Sequence, residues 1–122
     1  MVSKINGKEL FKLMSQGIQP PRIPFCPTIY EHAAQVIGRT PSEIARDEDM
    51  LVEGQLASYE KYRHDLITLG VDIYNVEFEA LGGEVIYPDN EEMPSAEGTL
   101  INNEKELDNL SLPDPESDGR MP

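Results

Sequence analysis

The chain has 122 residues, with 10 Lys and Arg against 23 Asp and Glu, for a formal net charge of −13. That length suits one domain around one core, and the charge opposes binding to nucleic-acid phosphates or to an anionic membrane surface. Cys26 is the single cysteine, which excludes an intramolecular disulfide and a Cys-rich zinc cluster. No apolar run approaches the ~18 residues of a membrane span. The first 14 residues carry Lys4, Lys8 and Lys12 without a continuous apolar stretch, so they do not read as a signal peptide. The expected compartment is cytoplasmic.

Charge divides the sequence. Residues 1–83 hold 12 acids and 8 bases, whereas residues 84–122 hold 11 acids and 2 bases together with five prolines. The first stretch reads as packed helices with two strands. The second reads as an acidic hairpin and a Pro-rich tail of the same single domain.

In chain order, Asn6 with Glu9 three residues on predicts a capping box, and Leu10, Phe11, Leu13 and Met14 give the helix one apolar stripe that ends at Gly17. Pro20, Pro21, Pro24 and Pro27 keep the next segment extended, with a short strand expected over 23–26. Thr28 with Glu31 opens a second helix that Gly38 ends. Thr40-Pro41-Ser42-Glu43 repeats the start signal with Pro at the first helical position. Asp47 starts a longer helix with an acidic first turn, for which Val52, Leu56 and Tyr59 form the expected buried stripe. Residues 66–71 are apolar and flanked by Asp65 and Asp72, which predicts a buried strand. A helix over 73–81 runs into Gly82-Gly83. Residues 84–87 and 99–101 are the expected arms of a hairpin, and 104–110 carry one or two helical turns.

The stretch HDLITLGVDIYNVEFEALG, in which a strand ends at Asp72 and a helix closes in Ala80-Leu81-Gly82, resembles the second βα unit of the uroporphyrinogen decarboxylase superfamily. Arg22-Ile23-Pro24 ahead of a strand and the closing run LDNLSLPDPESDGRMP are similar to the same family. The corrinoid-linked methyltransferase branch, which moves a methyl group from a methylcobamide to a thiol such as coenzyme M, is the nearer likeness. The resemblance implies an α/β fold, the TIM (β/α)8 barrel. Such a barrel takes about 250 residues, so the chain is expected to be an N-terminal, incomplete part of one, with leading helices, two barrel strands and a β-hairpin.

The resemblance also assigns candidates. Asp72 matches the aspartate that holds the pyrrole N–H groups in the decarboxylases, and it stands as the catalytic candidate; a helix cap is its structural alternative. Tyr30, His32 and Asn75 are the substrate-binding candidates, with Tyr30 and His32 equally suited to packing. Cys26 suits a small buried residue. The decarboxylases place arginines after the first strand, but here that loop reads Pro27-Thr28-Ile29-Tyr30-Glu31-His32 and has none. A substrate with eight carboxylates needs such cations, so decarboxylation of uroporphyrinogen is the alternative reading. In the methyltransferase branch a zinc held by His and two Cys activates a thiol. Those ligands belong to the family's C-terminal half, so no metal site is expected in this chain. Zinc, a corrinoid and a corrinoid-protein partner are implied only for a full-length parent. The chain alone is expected to be inactive. A stand-alone, non-enzymatic module is the other class, and open sheet edges predict self-association.

Overall fold

The computed structural model describes residues 5–70, 72 and 74–122. Helix α1 (Gly7–Ser15) has the reciprocal capping box its sequence spells: the Asn6 side chain accepts from the Glu9 N–H, and the Glu9 carboxylate accepts from the Asn6 N–H. Leu10 is its buried residue. Gly17 then turns the chain at φ 72°, a conformation open to glycine at little cost.

The expected strand over 23–26 does not form, and neither does the one over 66–71 as far as it is described; residue 71 lies outside the described residues. The two segments instead start side by side. The Asp65 N–H donates to the Phe25 carbonyl at 2.7 Å, and the Phe25 N–H donates to Asp65 Oδ2 at 2.8 Å. A parallel strand is held by ladders to its neighbours. Prolines at 24 and 27 remove a backbone donor at each end of the segment, and among the described residues no further strand flanks the pair.

Helix α2 (His32–Val36) begins later than Thr28 predicts. Ile29 and Tyr30 make a turn first, with Tyr30 at φ 33° and the His32 N–H donating to the Ile29 carbonyl at 2.9 Å. Helix α3 (Pro41–Ile44) repeats the capping box through Thr40 and Glu43. Asp47 caps α4 (Glu48–Tyr62), accepting from the Met50 N–H at 2.9 Å, and Arg63 ends it at φ 52°.

The buried face of α4 is not the predicted one. Val52 and Leu56 are half exposed and Tyr59 is 38% exposed, while Gly54, Gln55 and Ser58 are buried. Size decides this. A Cβ on Gly54 would lie 3.0 Å from the Ala33 carbonyl oxygen, so α2 and α4 meet through their smallest residues. Ile29, Ala33, Ala34 and Ile44 form the core there, with Ile37, Met50, Leu51 and Met93 packed against it.

Helix α5 (Asn75–Ala80) is shorter than the predicted 73–81; residue 73 lies outside the described residues. Strands β1 (Glu84–Ile86) and β2 (Ser95–Glu97) pair antiparallel, with Val85 opposite Ala96. The return arm is therefore 95–97 rather than 99–101. Gly98, at φ 71°, turns the chain before Thr99 is reached. Helix α6 (Glu104–Leu107) is capped by Asn103. The hairpin is the only sheet among the described residues.

Candidate functional site

Asp72 stands between the apolar 66–70 segment and α5. Its backbone is left-handed, at φ 57°, and its side chain is 1% exposed. A carboxylate withdrawn from water needs donors, and Asp72 has one on each oxygen. Arg120 Nη2 donates to Oδ2 at 2.7 Å. Asn75 Nδ2 donates to Oδ1 and also to the Pro94 carbonyl, the latter at 3.0 Å. The Asp72 side chain thus engages the Asn75 side chain instead of capping α5 through a backbone N–H.

Tyr30, Glu31, Asp72, Tyr74, Asn75, Met93 and Pro94 line one cavity of about 170 Å³. Three of the four sequence candidates, Tyr30, Asp72 and Asn75, converge there. His32 does not join them. Its Nε2 lies 2.7 Å from the Tyr62 hydroxyl and its Nδ1 3.2 Å from Gln35 Oε1, beside a groove with Phe25, Pro27, Thr28 and Ile29. Cys26 is exposed rather than buried; the prolines around it hold the segment at the surface.

Arg120, which no sequence signal singled out, organises the back of this cavity. Its Nε donates to Glu79 Oε2 at 2.5 Å and its Nη1 to the Ala45 carbonyl at 2.9 Å. Its guanidinium lies 5.2 Å from the centre of the Tyr87 ring, and that of Arg46 lies 4.8 Å from the same ring. Burial works against the Arg120 charge, but the hydrogen bonds to Glu79 and Asp72 outweigh it and raise its pKa. The Tyr87 hydroxyl donates to Glu79 Oε1 at 2.9 Å. Burial, and then this bond, push the Tyr87 phenol up to about 12. The one available hint was compositional: Arg120 and Lys105 are the only bases beyond residue 83.

A second ion pair lies away from the cavity. Arg22 grips Asp65 with both terminal nitrogens, at 2.5 and 2.6 Å. This fork, then the Phe25 N–H, bring the Asp65 carboxyl down to about 2. No group of three or more His, Cys, Asp and Glu side chains among the described residues is placed to hold a metal ion. No helix there is long and apolar enough to cross a membrane.

The cavity walls carry two carboxylates and no basic side chain. Asp72 is already paired with Arg120, so the walls suit N–H donors or cations and offer a carboxylate no free cation. Capped helices, two apolar segments that start side by side, and an aspartate shortly before the next helix are consistent with an incomplete β/α barrel. The family model for uroporphyrinogen decarboxylase (URO-D) matches residues 6–122. The chain belongs to that family, whose fold is the TIM barrel. No curated protein and no solved structure matches the chain.

Proposed function

We propose that this chain supplies the amino-terminal wall of a URO-D-type barrel site, with Tyr30, Asp72 and Asn75 facing the ligand and His32 outside it. The convergence of those three residues on one cavity carries the reading. The methyltransferase-like branch is favoured over the decarboxylases by the cavity's charge. Glu31 and Asp72 face it, and the nearest described guanidinium, Arg120, is committed to Asp72, Glu79 and Ala45. An octacarboxylate would find no free cation there. The described residues do not make a zinc site, and the chain alone is proposed to be inactive.

Two measurements test this. Purified chain is incubated with uroporphyrinogen, and separately with methylcobalamin and a thiol; neither should turn over above a heat-killed control. Uroporphyrin fluorescence, titrated with the chain, should show no saturable binding. Turnover in either mixture overturns the inactivity, and saturable uroporphyrin binding that Asp72→Asn abolishes overturns the choice of branch.

A second reading, a stand-alone self-associating module, is favoured by exposed apolar side chains. Ile23 is 88% exposed and Leu69 66%, and Phe25, Val52 and Leu56 each show half or more of their surface.

A further inference from the structure

Of the candidate residues and their partners, Arg120 makes the most connections while lining a different space from the ligand cavity. It borders a separate pocket of about 400 Å³ with residues of 44–48, Leu51, Val76 and Pro122. Asp72 therefore presents one side to the smaller cavity and receives the guanidinium on the other. All three guanidinium nitrogens are used, and each is tied to a different part of the fold: Nε to α5 at Glu79, Nη1 to the end of α3 at Ala45, and Nη2 to Asp72. Tyr87, next to β1, lies under its face. A planar fork anchored at three points cannot swing without breaking charge-assisted bonds.

We propose that Arg120 is the positioning residue of the Asp72 site: reaching back from the tail, it fixes the carboxylate against Asn75 from the side opposite the ligand cavity. This rests on the reading of Asp72 as ligand-facing, yet it makes a claim that needs no ligand. Asp72 Oδ2 is held by Arg120 and Oδ1 by Asn75. A carboxylate offers about four lone-pair positions, and Arg120 and Asn75 take one each. With Nη2 removed, Oδ2 has lost its donor, and the carboxylate is free to rotate off Asn75 toward water.

The test follows the Asn75 side-chain amide by NMR in the full chain. Arg120→Met should move the Asn75 Nδ2 proton resonances, chiefly that of the proton given to Asp72 rather than the one given to the Pro94 carbonyl, toward solvent-exposed values. Arg120→Lys should restore them in part, because one ammonium can meet Asp72 but cannot also span Glu79 and Ala45. Glu79→Gln should leave them near native, since the Arg120–Asp72 pair survives. Unmoved resonances in a folded Arg120→Met chain would overturn the proposal. So would a displacement in Glu79→Gln as large as in Arg120→Met, because Arg120 would then serve only to dock the tail. If Arg120→Met does not fold, the contrast of Arg120→Lys with Glu79→Gln decides alone: equal shifts overturn the proposal. Because no ligand is used, the result is separate from that of the porphyrin titration.

Discussion

Replacing Asp65 by Asn removes one charge and leaves the volume nearly unchanged, so it isolates the clasp that joins residues 22–25 to residue 65. In the native chain Asp65 accepts two bonds from Arg22 and one from the Phe25 N–H, and its side chain is 7% exposed. Its pKa falls from 3.8 to about 2. A shift of that size corresponds to about 2 kcal/mol. The Arg22 side chain is 34% exposed, and solvent screening through it reduces the figure to about 1 kcal/mol. The folded pKa lies below the unfolded one, so this contribution is complete above the ordinary carboxyl pKa and is lost as the pH falls through about 2. Urea denaturation followed by circular dichroism, on native chain and Asp65→Asn, reads the difference directly. The variant should be less stable by about 1 kcal/mol at neutral pH, and the gap should close toward pH 2. A gap that is equally large at both ends would refute the electrostatic account and leave lost packing as the cause.

Gly7→Ala tests the approach of α1 to the same residue. The new Cβ would overlap the Asp65 carbonyl oxygen, so the variant should lose about 1–3 kcal/mol in denaturation even though Ala is the better helix former. Ser58→Ala should be neutral or stabilising, because the buried Ser58 Oγ has no hydrogen-bond partner among the described residues; Leu56→Gln, on the half-exposed face of α4, should change stability by less than about 0.5 kcal/mol. A costly Leu56→Gln beside a harmless Ser58→Leu would reinstate the apolar stripe. Ultraviolet titration should find one tyrosine that ionises near 12 and is missing from Tyr87→Phe. Its folded pKa is the higher, so its contribution holds below about 10 and is lost as the pH rises through 12. Light scattering should show self-association that strengthens with salt as the charge of −13 is screened; a mass near 13.7 kDa at high concentration and high salt would count against it.

Local chemistry was legible in the sequence wherever a few neighbouring residues settle it. The capping boxes at Asn6–Glu9 and Thr40–Glu43 and the Asp47 cap each depend on side chains within about four positions of the backbone they satisfy. The family resemblance around Asp72 was equally readable, because it rests on the order of residues along the chain. Tertiary structure decided the rest. Hydropathy favoured Val52, Leu56 and Tyr59 as the buried face of α4, but close approach to Ala33 rewards the missing side chain of Gly54 more than it rewards added apolar area. The run over 66–70 has the composition of a barrel strand, yet a strand is a relation between neighbours, and one backbone bond from Asp65 to Phe25 is not a ladder. The sequence presents residues 84–122 as an acidic hairpin and a Pro-rich tail. Arg120 instead meets Asp72 across 48 positions, a distance over which no local propensity operates and only the folded path of the chain brings the charges together.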